Sequence, residues 1–69
     1  QKPMNIILNG TPKNMSNVFY VKDLITELNL SGKRIAIEIN EEIIPRSNYS
    51  SQKITDGDTI EVIHAIGGG

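Results

Sequence analysis

Sixty-nine residues, with seven Lys and Arg against eight Asp and Glu, carry a net charge of −1. That balance argues against a nucleic-acid binder, which presents a basic face, and Phe19, Tyr20 and Tyr49 are too few aromatics for a base-stacking platform. With no cysteine there is no disulfide framework, no thiolate metal site and no cysteine nucleophile, a composition that suits a reducing cytoplasm. A chain this long makes one domain and buries only about 60% of its unfolded surface, which leaves little room for a deep substrate pocket. No apolar run approaches membrane-spanning length, and no signal peptide is visible. Met4 reads as the native start of a single domain, 4–69, with Gln1-Lys2-Pro3 left over from cloning.

In chain order, Met4-Asn-Ile-Ile-Leu8 reads as a strand and Asn9-Gly10 as a hairpin turn, because both residues tolerate positive φ. The returning strand is expected over Lys13 to Phe19, with Pro12 at an edge or within the turn. Val21, Leu24, Ile25 and Leu28 recur at i, i+3, i+4 and i+7, the spacing of one helix face. Lys22, Asp23, Thr26 and Glu27 fill the other face. Tyr20 offers no usual side-chain cap at the helix start, and Gly32 is the expected stop.

Arg34 to Asn40 alternates strictly, with Ile35, Ile37 and Ile39 on one face of a strand. Asn40-Glu41-Glu42 reads as a turn, and Ile43-Ile44 as a short strand cut off by Pro45. Ser47 to Lys53 has no period and reads as irregular. Asp56-Gly57-Asp58 reads as a turn before a last strand from Thr59 to about Ala65, with Ile60 and Val62 inward.

This order predicts an α+β fold of the β-grasp, or ubiquitin-like, type. A mixed sheet of four to five strands carries one helix across one face. Val21, Leu24, Ile25 and Leu28 would pack against Ile35, Ile37, Ile60 and Val62. The helical crossover lets the last strand lie parallel to the first, in the centre of the sheet.

Gly67-Gly68-Gly69 follows that last strand directly. Gly makes up about 7% of average sequence, so three in a row are rare by chance, although a cloning scar would leave the same residues. A thread without side chains suits a narrow channel in a partner. Its one reactive group would be the α-carboxylate of Gly69, with a reference pKa of about 3.3–3.7, ionised at neutral pH. A carboxylate is a poor electrophile until a leaving group is attached. Three residues reach roughly 10 Å, so the body can dock outside while the tail enters.

The remaining polar residues carry weaker signals. His64 stands alone, with no second His and no Cys to build a metal or catalytic site, and reads as a strand residue. Asp56 and Asp58 read first as turn chemistry. Arg46 is a candidate for pairing with a partner's acid. Ile44 and Ile63 are candidate docking residues if they lie on the sheet face away from the helix; the sequence equally allows both in the core.

Several segments together resemble the ThiS family, the sulfur carriers of thiamin biosynthesis. They are Asn9-Gly10 after the first strand, Asn40-Glu-Glu-Ile-Ile-Pro-Arg46, Asp56-Gly57-Asp58 and the ending Ile63-His-Ala-Ile-Gly-Gly-Gly69. The resemblance runs from Met4 to Gly69. It implies a carrier rather than an enzyme, a monomer when free, binding no cofactor of its own. An adenylating enzyme would use ATP and magnesium to convert the Gly69 carboxylate to an acyl-adenylate. A sulfur donor such as a cysteine desulfurase would turn it into a thiocarboxylate, and thiazole synthase would receive the sulfur. Gly67 and Gly68 would thread the partners' channels. The small subunit of molybdopterin synthase, a ubiquitin-like modifier and a non-covalent β-grasp module are the alternatives.

Overall fold

A computed structural model describes residues 3–16 and 18–64. Its elements are β1 (Met4–Leu8), β2 (Thr11–Met15), α1 (Val21–Glu27), β3 (Ile35–Ile39), β4 (Glu42–Ile44), a 3₁₀ turn (Arg46–Asn48) and β5 (Thr59–His64). The strands form one mixed sheet in the order β2-β1-β5-β3-β4. β5 therefore lies in the centre, parallel to β1 and antiparallel to β3, as the strand order in the sequence predicts.

The first hairpin closes through Asn9 (φ 49°) and Gly10 (φ 81°), both in the left-handed region that a two-residue turn of this hand requires. The turn pairs Leu8 with Thr11 and starts β2 two residues earlier than expected. β2 is an edge strand. Pro12 sits in the pair after the closing one, opposite Ile7. Antiparallel pairs alternate between hydrogen-bonded and non-bonded, so the missing N–H faces away from β1 and costs the ladder nothing. The strand ends at Met15, and Val18 then drops into the core.

Helix α1 begins at Val21 without a side-chain cap on Tyr20. Its four leading N–H groups are satisfied by other means. Val21 donates to Gln52 O at 3.0 Å and Lys22 to Tyr49 O at 2.9 Å, while Asp23 and Leu24 donate to Tyr20 O at 2.9 and 3.2 Å. The irregular segment after β4 thus supplies the cap that the local sequence lacks. Asp23 completes the start, its Oδ2 accepting the Tyr20 N–H at 2.9 Å and the Phe19 N–H at 3.1 Å. These two bonds, Tyr20 first, hold its carboxyl below the ordinary aspartate value; desolvation opposes them and the nearby Lys22 charge adds to them.

The helix stops at Asn29 rather than at Gly32. Asn29 takes φ 59°, its N–H donates to Thr26 O at 3.1 Å, and the Leu30 N–H donates to Ile25 O at 2.9 Å. Those two bonds make a Schellman motif, which accepts Asn at the left-handed position. Gly32 (φ 80°) serves the next turn instead.

Val21, Leu24, Ile37 and Ile60 have no exposed surface, and Ile6, Leu8, Ile39 and Val62 join them in the core. Ile25, Leu28 and Ile35 are half-buried against the same cluster. The expected helix–sheet contact is therefore present, and Met15, Val18 and Ile54 extend it. Leu24→Ala or Ile37→Ala should destabilise the protein by about 2–5 kcal/mol, the usual range for truncating a buried aliphatic residue. Denaturant midpoints read this directly, and midpoints that barely moved would place the core elsewhere.

A pH dependence follows from Asp23. A folded-state pKa below the unfolded one stabilises the fold above the unfolded value, and that contribution disappears as pH falls through the folded value. Asp23→Asn should therefore lower stability at neutral pH and flatten its acid limb. Equal acid limbs in both proteins would remove Asp23 from the account.

Candidate functional site

The chain arrives at its last described strand under unusually close control. β3 pairs with β5 along its whole length, from Ile39↔Ile60 to Ile35↔His64. β1 pairs with only the start, Ile7↔Thr59 and Leu8↔Ile60. The Asn9 side chain carries the β1 side one step further. Its Oδ1 accepts the Val62 N–H at 2.8 Å, while its own N–H donates to Ile60 O at 2.9 Å. The hairpin residue read for its turn conformation is thus also a ladder partner.

Asn40, in the β3–β4 turn, grips β5 from the other side. Its N–H donates to Thr59 O at 2.7 Å and its Oδ1 accepts the Thr59 N–H at 3.0 Å. Its Nδ2 donates to Asp58 Oδ1 at 3.0 Å. Asp58 is the buried polar residue among those described, and its Oδ2 also accepts the Thr55 N–H at 2.8 Å and the Thr55 hydroxyl at 3.1 Å. Asp56 Oδ1 accepts the Asn5 N–H at 2.7 Å, and the Gly57 N–H donates to Asn5 O at 2.7 Å. Asp56 and Asp58 therefore do the turn chemistry their sequence suggests and, beyond it, tie the turn to β1 and to the β3–β4 hairpin.

The sheet face opposite the helix carries exposed apolar residues, and of the two expected there Ile63 is present and Ile44 is not. Ile44 is buried opposite Ile37 and leaves the docking surface. Ile43 takes its place with 70% exposure, and Ile63 is 46% exposed. The reason is register. A three-residue turn over 40–42 would set Ile43 opposite Ile39 and point it inward. The observed turn uses only Asn40 (φ 51°) and Glu41 (φ 71°), so Glu42 already pairs with Ile39. One residue of slip exchanges the two faces of a strand. Glu41 is not a residue that advertises positive φ, which hid the shorter turn.

Ala36 pairs with Ile63 on this face, and Arg34 and Arg46 line a shallow groove of about 310 Å³ beside them. Glu38 and Glu61 pair with each other on the same face. Arg34 and Ala36 carry no signal in the sequence beyond strand alternation. His64 is exposed at the end of β5. Gly67, Gly68 and Gly69, like Ala65, lie outside the described residues. No group of three or more His, Cys, Asp or Glu among the described residues is placed to hold a metal ion, and no helix among them is long and apolar enough to cross a membrane.

A mixed sheet with its last strand in the centre and one helix laid across it defines a β-grasp domain. Compared with known proteins, residues 6–69 match the ThiS family. The crystal structure of the thiamine biosynthesis protein ThiS from Geobacter metallireducens superimposes with a TM-score of 0.82 at 28% identity, over 96% of this chain and 100% of that one. The sulfur carrier protein ThiS of Bacillus subtilis is 37% identical over 49 residues, 71% of this chain and 74% of that protein. A thiazole synthase of Paramagnetospirillum magneticum is 38% identical over 66 residues, 96% of this chain. The chain spans only 20% of that relative's length. The chain belongs to the ThiS family, whose members are small sulfur carrier proteins rather than enzymes.

The grip on β5 has a direct test. Asn9→Gly keeps the left-handed turn accessible and deletes only the side chain. It leaves the Val62 N–H without its 2.8 Å acceptor and should cost about 1–3 kcal/mol. Hydrogen exchange at Val62 should accelerate more than at Leu24. Unchanged protection at Val62 would show that the side chain does not hold the strand.

Proposed function

We propose that this chain carries sulfur for thiamin biosynthesis and that the reacting group is the α-carboxylate of Gly69. An adenylating enzyme, using ATP and magnesium, joins that carboxylate to AMP with loss of pyrophosphate. The terminal sulfur of a donor persulfide, such as that of a cysteine desulfurase, then attacks the acyl carbon and expels AMP. A thiol cleaves the resulting acyl disulfide, leaving the thiocarboxylate and a disulfide between that thiol and the donor's sulfur. Thiazole synthase takes the sulfur for its ring. The nucleotide and the metal belong to the adenylating partner.

The observation that carries this reading is the position of β5 within a ThiS-family fold. The central strand delivers the chain to His64, and five residues, Ala65 to Gly69, follow it. Five residues span at most about 17 Å. The globular body can therefore seat against an enzyme while Gly69 reaches a buried reaction centre, and positioning of that kind is the carrier's whole contribution to rate. Relatives in which a stretch similar to this chain makes up 20% of a protein named thiazole synthase support that enzyme as a partner. A carrier fused to its acceptor meets it at high effective concentration.

Incubation with ATP, magnesium, an adenylating enzyme and a sulfur source should replace one oxygen of Gly69 by sulfur, read by intact mass and located by fragmentation. Gly68→Val should leave docking affinity nearly unchanged and abolish adenylation, because a β-branched side chain widens the thread and restricts its backbone. Sulfur mapped to another residue, or normal adenylation of Gly68→Val, would overturn the reading.

A further inference from the structure

Lys33, Arg34 and Arg46 gather around a second cleft, on the helix side of the same end of the sheet. The cleft holds about 240 Å³, and its floor is Ile25, Leu30, Ile35 and Tyr49. All four floor residues are only half-buried, so apolar surface remains open. Three of the chain's seven cationic residues line the cleft and no acidic residue does, in a chain of net charge −1.

The walls are fixed by the backbone. The Leu30 N–H donates to Ile25 O at 2.9 Å and the Lys33 N–H to Leu30 O at 3.0 Å. On the other side, the Tyr49 N–H donates to Arg46 O at 3.1 Å, and Tyr49 O accepts the Lys22 N–H at 2.9 Å. A site held in this way loses little freedom on binding. Its volume falls below the roughly 300–1,000 Å³ of small-molecule pockets but suits one large apolar side chain.

We propose that this cleft docks a segment of a protein partner in which an apolar side chain is flanked by carboxylates. The apolar group covers the floor, and the carboxylates meet the guanidinium forks of Arg34 and Arg46. The cleft shares Arg34, Ile35 and Arg46 with the groove beside Ile63, and Ile25, Leu30, Lys33 and Tyr49 belong to it alone; its occupation does not depend on the chemistry proposed for Gly69.

The test is a titration of the whole isotope-labelled chain, at low salt, followed by amide NMR. The probe is the synthetic peptide acetyl-Glu-Asp-Phe-Glu-Asp-amide. Controls replace its acids by lysine or its phenylalanine by serine, and inorganic phosphate and AMP are run as small anions. The acidic aromatic peptide should shift the amides of Leu30, Gly32, Arg34, Arg46 and Tyr49. Arg34→Ser with Arg46→Ser should weaken it by about tenfold or more, with the spectrum otherwise intact, since both side chains are exposed. Lys33→Glu should weaken it too. The proposal is overturned by no response, by shifts confined to Ile43 and Ile63, by unchanged affinity in the double variant, or by an equal response to phosphate or AMP.

Discussion

The architecture of this domain depends on β5 being held in the middle of the sheet. A strand in that position has two neighbours, and β5 uses them unequally. β3 runs beside Ile60 to His64, whereas β1 runs beside only the first two residues, Thr59 and Ile60. The shortfall is made up by side chains that imitate backbone, Asn9 on one flank and Asn40 on the other. An amide side chain presents the same acceptor geometry as a peptide carbonyl, so a strand can be paired where no neighbouring strand extends. The two residues also turn the chain at the ends of β1 and β3. One pair of asparagines thus sets the hairpins and fastens the central strand.

The buried carboxylate of Asp58 fits the same logic. A carboxylate out of water is tolerable only when its oxygens are satisfied. Three donors, from Thr55 and Asn40, meet it here. The cluster couples the turn before β5 to the turn after β3, so the start of the central strand is referenced to two hairpins at once. The network lies at the opposite end of β5 from His64.

Much of this was legible in the residues because local and global preferences agree. Strict alternation at Ile35, Ile37 and Ile39, the i, i+3, i+4, i+7 face of the helix, and Asn9-Gly10 each have one reading, and the sheet order follows from connecting them. What stayed hidden were features decided by distant parts of the chain. The helix start at Tyr20 is capped by carbonyls of Tyr49 and Gln52, which no local pattern announces. The left-handed Asn29 displaced Gly32 as the helix stop because an asparagine there can close the Schellman bonds. The exchange of Ile44 for Ile43 at the candidate surface turned on one unadvertised φ at Glu41. Where a site depends on parity, one residue in a turn decides it.

The sheet order also has a consequence for how the chain assembles. The β1–β2 and β3–β4 hairpins are each closed by two-residue turns and need only local contacts. They are not neighbours; β5 lies between them, and it is the last of the described strands in chain order. Until residues 59–64 are available, the β1 and β3 edges that they will cover have no partner. Pairing across such sequence distances closes long loops and is slow relative to hairpin formation. The central strand is therefore also the keystone of folding, and a chain short of it would present two unpaired strand edges, the surfaces most prone to aggregation.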